Sequence, residues 1–254
     1  MGGNYVLTDI VAALLMRACY APVLAIPLAL TISVGIGLLN ALTSQVIGIP
    51  SLIGTLAMSW MLRGLALALS SGTQVTGVPM QDPIIWYLGG GKILGVPVSV
   101  VLLIVIGVIL ALVMHKTPFG YRIREIGSNP DAAAFSGIPI KATRTWGFVV
   151  AALMAGLSGI VALAFFTVGN PQSGGGIELF AVAGAVIGGT PLAGGKATVF
   201  GAILGSVLLT AMAIGLVYFQ ITATWAQFAT GAAILGAVSV DGLAQWQRRQ
   251  RGTR

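Results

Sequence analysis

The pattern of apolar and polar positions divides this chain into long, charge-free stretches separated by short, charged or Gly-rich ones. No Asp, Glu, Lys or Arg occurs between Arg17 and Arg63. That run exceeds the roughly 20 apolar residues that cross a bilayer as one helix, so the chain must cross and return. The break falls at Ile49-Pro50, because proline lacks a backbone donor and disfavours helix in the residue before it. Spans are therefore predicted at about Ala21 to Leu42 and Ser51 to Ser71, followed by a polar loop from Gly72 to Lys92 and a further span from Ile93 to Met114. From His115 to Arg144 the character changes: Lys116, Arg122, Arg124, Glu125, Asp131, Lys141 and Arg144 form the densest charge outside the C-terminal tail, as expected of a solvent-exposed segment. Apolar stretches resume at Trp146 to Thr167, Leu179 to Gly189, Val199 to Phe219 and Ala223 to Val240, ahead of a tail with Arg248, Arg249, Arg251 and Arg254. Leu179 to Gly189 is too short for a lipid-exposed span and reads as a half-helix buried among neighbours. The predicted fold is all-α, a polytopic helical integral membrane protein of about 7–8 membrane segments. It forms a single transmembrane domain over residues 1–254, with an exposed loop at 115–145 and a basic tail at 241–254.

Composition supports the membrane reading. Hydrophobic side chains make up 57% of the 254 residues and charged ones 7%, whereas a soluble globule carries about a quarter charged residues. The net charge of +7 does not point to nucleic acid, because the basic residues are sparse and not interleaved with stacking aromatics. In a membrane protein such an excess gathers on the cytoplasmic side. The 115–145 loop holds five Lys/Arg and the tail four, nine of the chain's thirteen, so both are expected in the cytoplasm. Counting back from the loop puts 72–92 outside, the Gln45 to Pro50 turn inside and Arg17 outside, with one crossing at the start of the chain unassigned. Cys19 has no partner for an internal disulfide and is expected as a small buried hydrophobe. The short apolar stretch Val11 to Met16 is cut by Arg17 and follows no early positive cluster, which argues against a cleaved signal peptide.

Catalytic chemistry is hard to assemble from these residues. One His, one Cys and six acids, with Asp9, Asp82, Asp131 and Asp241 scattered, give neither metal-ligand spacing nor a triad, so no catalytic residue, metal or cofactor is expected. The Gly-rich run from Gly188 to Lys196 ends in Ala197 rather than Ser or Thr, so it is no phosphate-binding loop. Ion-coupled carriers and pumps place ionisable groups inside their spans, and here only Arg63 and Glu178 come close. Arg63 reads equally as a snorkelling or carbonyl-bound side chain and as a gating residue. Asn40, Ser59 and Glu178 are the polar candidates for a solute pathway. Gly184 and Gly188, then Gly201 and Gly205, are each four apart, the spacing that lets helices pack closely in lipid.

The 115–145 loop is more than a connection. Asn129 can cap a helix begun by Pro130, Asp131 suits the positive end of its dipole, and Gly137 can end it. Ala132, Ala133 and Ala134 give that helix a slim surface and Phe135 an apolar anchor for docking; lying on the membrane is the plainer alternative. The segment from Thr117 to Ile138, T-x-F-G-x-R…G-x-N-x-x-A-A-x-x-S-G-I, resembles the permease subunits of ABC importers for ribose, xylose, other monosaccharides and autoinducer-2, more distantly the branched-chain amino-acid permeases. Leu62-Arg63-Gly64-Leu65-Ala66-Leu67 with Ser71-Gly72 also matches, as do Ile177-Glu178-Leu179, Val186-Ile187-Gly188-Gly189-Thr190 and Gly194-Gly195. Two departures are that Tyr121 intervenes between Phe119-Gly120 and Arg122, and that Phe180 stands where the family has an acid. The opening, Gly2 to Thr8, looks like a degenerate Gly-Gly-x-Asp-Leu-Ser segment that normally follows two earlier helices, so the chain is expected to be short at its N-terminus.

The resemblance implies a permease subunit of an ATP-driven importer in the bacterial inner (plasma) membrane, its C-terminus cytoplasmic, moving a small polar solute. A monosaccharide is the first expectation, with autoinducer-2 or a branched-chain amino acid behind it. Partners implied are membrane lipid, a second permease (homo- or heterodimer), two ABC ATPase subunits or one fused double ATPase, and a periplasmic or extracellular solute-binding protein. ATP hydrolysis then belongs to the partner. Arg122, Glu125, Gly127, Asn129, Asp131, Ala132, Ala133 and Gly137 are the residues this resemblance assigns to ATPase coupling. An ion-coupled secondary carrier and a nonfunctional truncated permease are the alternatives.

Overall fold

A computed structural model of the chain describes residues 1–191, Gly194, 198–218 and positions 225, 228, 231, 232, 235, 236 and 239. The described residues form ten helices and one two-stranded hairpin. Two compact units appear, one of residues 1–106 with 139–177 and the other of 107–138 with 178–254.

The first unit is built around a helix that hydropathy alone does not predict. Helix α1 (Gly2–Arg17) is buried along most of its length, from Gly2 through Ile10 and again at Ala12, Ala13 and Met16. It packs against α2 (Pro22–Val46), α3 (Ser51–Leu69) and α8 (Ile140–Phe166). Small residues on α8 allow this approach: a Cβ at Gly159 would strike the Tyr5 carbonyl, and one at Gly156 would strike Ser33 and Thr8. Polar groups on α1 find partners on its neighbours, as a helix in a dry interior requires. The Asn4 amide donates to Ser33 Oγ at 2.7 Å and to the Ala152 carbonyl at 2.8 Å, tying α1 to α2 and α8. Ser33 Oγ in turn donates to the Ala152 carbonyl at 2.6 Å.

Among the described residues, four helices are long and apolar enough to cross a membrane: α2, α3, α8 and α5 (Val98–Lys116). The predicted break at Pro50 is present, since α3 begins at Ser51. The Gly72 to Lys92 loop is more ordered than its composition suggests. It holds α4 (Pro83–Gly89), whose N-cap Asp82 accepts from the Ile84 N–H at 2.9 Å. A hairpin follows, β1 (Lys92–Ile93) antiparallel to β2 (Val96–Pro97). Its turn residues Leu94 and Gly95 both have positive φ, as tight hairpin turns favour. Those residues delay the start of α5 to Val98, later than the predicted Ile93.

In unit 1 the chain's turns segregate to two ends. Gln45, after the α2 crossing, donates to Thr145 near the start of α8 at 3.0 Å. At the opposite ends of α3 and α8, Val75 and Gly169 pair as a β-bridge, with N–H···O distances of 2.8 and 2.9 Å. Cys19 is not buried as expected: it lies exposed in the α1–α2 turn with φ 66°.

The second unit contains α6 (Pro118–Ser128), α7 (Pro130–Phe135), α9 (Ile177–Ile187, from Glu178 on) and α10 (Val199–Tyr218). Helix α9 has 11 residues, the length of a half-helix. The predicted stretch from Ala223 to Val240, apart from isolated positions, and the basic tail at 241–254 lie outside the described residues.

Candidate functional site

The charged segment between α5 and α8 is a pair of capped helices. Thr117 caps α6, accepting from the Gly120 N–H at 3.4 Å, with Pro118 as the first helical residue. Asn129 caps α7 by accepting from the Asp131 and Ala132 N–H groups, both at 3.1 Å, and Pro130 again comes first. Glycine ends the pair. With φ 75°, Gly137 lets the chain turn back so that its N–H reaches the Ala134 carbonyl and the Ile138 N–H reaches the Ala133 carbonyl, closing the last orphan acceptors. The short second helix agrees with the capping pattern; the first was not anticipated, although Thr117-Pro118 carries the same signature as Asn129-Pro130.

The two helices pack on each other, and this sorts the candidate coupling residues. Arg122, Glu125, Asn129, Asp131, Ala132 and Gly137 are exposed, Gly127 is half-buried and Ala133 is buried. Ala133 thus supports the segment from within rather than offering it a surface. The surface feature is Phe135, 94% exposed at the end of α7. Gly127 is close to the segment after α9: a Cβ at Gly194, which has φ 93°, would strike the Gly127 carbonyl.

The four glycines proposed for packing come together in the second unit. A Cβ at Gly188 would strike Gly201, one at Gly201 would strike Gly188, and one at Gly205 would strike Gly184. Helices α9 and α10 therefore touch backbone to backbone along that seam. The three pathway candidates are not alike. Ser59 is 1% exposed, and its hydroxyl accepts from the Gly3 N–H at 2.6 Å, fastening the start of α1 to α3. Asn40 is 2% exposed on α2, its Oδ1 without a partner. Glu178 is half-buried in the first turn of α9, in the second unit.

Sequence reasoning missed a cavity of about 340 Å³ in the first unit, whose polar lining includes Tyr5, Asp9, Gln74, Asn170 and Ser173. Two anchors hold the loop that walls it. The Asn170 N–H donates to Asp9 Oδ2 at 3.2 Å, and the Arg63 guanidinium donates to the Gly174 carbonyl. Arg63 also lies over the Trp60 ring, 5.9 Å from its centroid. The signal that pointed here was the i, i+4 spacing of Tyr5 and Asp9, which sets both on one face of a helix; it was hidden because Asp9 looked like an isolated acid.

A family model matches residues 1–238, that of the permease component of the branched-chain amino acid transport system. The chain belongs to that family. Its relatives within this permease family include the probable ABC transporter permease protein YphD of Escherichia coli K12, 34% identical over 193 residues, covering 76% of this chain and 57% of that protein. The L-arabinose ABC transporter permease protein AraH of Azospirillum brasilense is 30% identical over 244 residues, 96% of this chain and 70% of its own length. The autoinducer 2 import system permease protein LsrC of Yersinia enterocolitica is 31% identical over 241 residues, 93% of this chain and 65% of its own length. This permease-family chain thus spans between 57% and 70% of the length of these relatives. With its apolar helices, it is a multi-pass membrane protein. No solved structure matches it significantly.

Proposed function

We propose that the chain is the membrane-spanning permease subunit of an ATP-driven importer of the inner membrane, taking a small polar solute and most readily a monosaccharide. The observation that carries this reading is the α6–α7 pair: two capped helices on the most charged segment, presenting Phe135 at 94% exposure. An aromatic side chain left in that position has the form of an anchor for a groove on another protein, with Arg122, Glu125 and Asp131 as its polar rim. The name of AraH supports a sugar as the solute of this chain, and that of LsrC supports import.

The orientation follows from the positive-inside bias. On this reading the 115–145 loop and the tail lie in the cytoplasm, as does the Gln45 to Pro50 turn, and the 72–92 segment faces outward. ATP is hydrolysed by a partner ABC ATPase, in two copies or as one fused double subunit. A second permease completes the pathway, and a solute-binding protein delivers from outside. Nucleotide-driven movement of α6 and α7 then alternates which side of the pathway is open.

The test is co-purification, in detergent, of the full chain with the ABC ATPase encoded beside it, against a Phe135→Glu variant. Phe135 is almost wholly exposed, so this variant leaves the fold intact; Ala133 is buried, and substitution there would test folding instead. The full chain is expected to retain the ATPase and the variant to lose at least about tenfold, the effect of one interface anchor of about 1.4 kcal/mol or more. Equal capture by both forms would reject α6–α7 as the dock. No capture by either would reject the importer reading.

A further inference from the structure

The β1–β2 hairpin ends in an apolar side chain that the fold leaves uncovered. Leu94 is wholly exposed at its tip, and the paired Ile93 and Val96 beside it are exposed as well. Leu94 also stands at φ 52°, in a left-handed turn position that Asn, Asp or Gly fills with less strain. A turn in water favours those small polar residues, so a leucine kept in this place points to a surrounding other than water. Helix α4, just before the hairpin, adds two aromatics. Its Ile85 is buried in the core of the first unit, and its Gly89 lies against the end of α8, where a Cβ would strike the Ala164 carbonyl. Trp86 and Tyr87 are left exposed, edge to face with ring centroids 5.1 Å apart.

We infer that α4 and the hairpin form an interfacial lipid anchor, with Leu94, Ile93 and Val96 at the acyl border of one leaflet and Trp86 and Tyr87 at the level of its headgroups. The place of the hairpin beside α5 decides its surroundings. The N–H of Val98, the first residue of α5, donates to the Gly91 carbonyl at 3.0 Å, so the hairpin is closed at its base on the start of that span. At 1.5 Å per residue, the 19 residues of α5 are about 28 Å long, against about 30 Å for the hydrocarbon core. The far end of α5 carries His115 and Lys116, which belong at one membrane surface, and the hairpin therefore falls at the other. Trp and Tyr gather at that level because each has an apolar body and a polar edge. Lys92 is the one charged residue from Pro83 to Pro97, and its long stem lets the ammonium reach lipid phosphates while the strand stays at the border. The apolar surface of Ile93, Leu94 and Val96 runs on in sequence into α5, whose one buried residue is Gly107.

Lipid fits the tip better than a protein approaching from water. The strands have two residues each, so at about 3.3 Å per residue the tip stands only about 7 Å from the start of α5. The headgroup layer is itself about 5–7 Å deep on each side of the core, and the tip does not rise clear of it. Anchors of this kind set the depth and tilt of the span they flank. The inference goes beyond the transport reading and is independent of the solute; in the orientation given above, the leaflet is the outer one.

The experiment is nitroxide accessibility by electron paramagnetic resonance, on the full chain in vesicles of equal parts phosphatidylcholine and phosphatidylglycerol, with the exposed Cys19 changed to Ser. Labels are placed singly at Leu94→Cys, at Tyr87→Cys and, as the reference in water, at Ser128→Cys on the exposed face of α6. Molecular oxygen, which dissolves in lipid, and a water-soluble nickel chelate each relax a label they can reach. At Leu94 the ratio of oxygen to nickel relaxation is expected to be several-fold above that at Ser128, with Tyr87 between the two. A ratio at Leu94 equal to that at Ser128 puts the tip in water and overturns the anchor. Weak relaxation by both reagents means that another protein surface covers the tip, and overturns it as well. If Leu94→Cys gives no monodisperse preparation, Tyr87→Cys, on a separate element, decides by the same three outcomes.

Discussion

Helices α1 and α5 show opposite ways of living in a bilayer. Helix α5 has a mean hydropathy of 3.0 over its best window, and Gly107 is its one buried residue, the others being exposed or half-buried. Helix α1 is enclosed by α2, α3 and α8 and carries Asn4, Thr8 and Asp9 inside that enclosure. Hydropathy reports what surrounds a helix: lipid demands apolar side chains at every exposed position, whereas a helix surrounded by protein can carry polar groups as long as its neighbours satisfy them. One polar atom in that enclosure, Asp9 Oδ1, is left over.

The contrast can be broken most severely at the seam between α1 and α8. Gly159→Val places a side chain on the Tyr5 backbone, which cannot give way as a flexible side chain can, and overpacking of this kind costs about 3 kcal/mol or more. The chain is expected to fail to give a monodisperse peak in size-exclusion chromatography. A smaller break comes from Ile10→Ala on α1, where the side chain is 0% exposed; the lost packing is expected to destabilise by about 2–5 kcal/mol in a detergent unfolding titration. Asn4→Leu removes the amide that joins Ser33 and the Ala152 carbonyl. Interhelical hydrogen bonds in membranes are worth about 0.6 kcal/mol and at most about 1.7, so the same titration should move by about 1 kcal/mol. The control is Ile104→Ala on α5, 58% exposed, expected within about 0.5 kcal/mol of the unaltered chain. If Ile104→Ala proved as damaging as Ile10→Ala, the distinction between a lipid-facing and a protein-enclosed helix would fail.

What the sequence made legible follows the same division. The charge-free run and Pro50 located α2 and α3, because length and hydropathy act directly on lipid-facing segments, and the shortness of its apolar stretch marked the 11-residue α9 as a half-helix. Asn129, Pro130 and Gly137 foretold α7, because capping is local chemistry with fixed spacing. Helix α1 was not legible: Gly2, Gly3, Asn4 and Thr8 break its apolar pattern, and their partners Ser33, Ser59 and Ala152 are distant in sequence. The cavity was hidden for the same reason, since Tyr5, Gln74 and Asn170 converge only when α1, the segment after α3 and the segment after α8 come together. Ala133 shows the limit on a single helix: its place in the motif is evident, but which face α6 covers is decided by packing.

The most direct test of the account is ATP hydrolysis by the partner ABC ATPase, measured in proteoliposomes that contain the full chain, its Phe135→Glu variant, or no permease. The account predicts a rate that rises in the presence of the full chain and returns, with the variant, to the rate of the ATPase alone. A rate that is the same in all three preparations would contradict it.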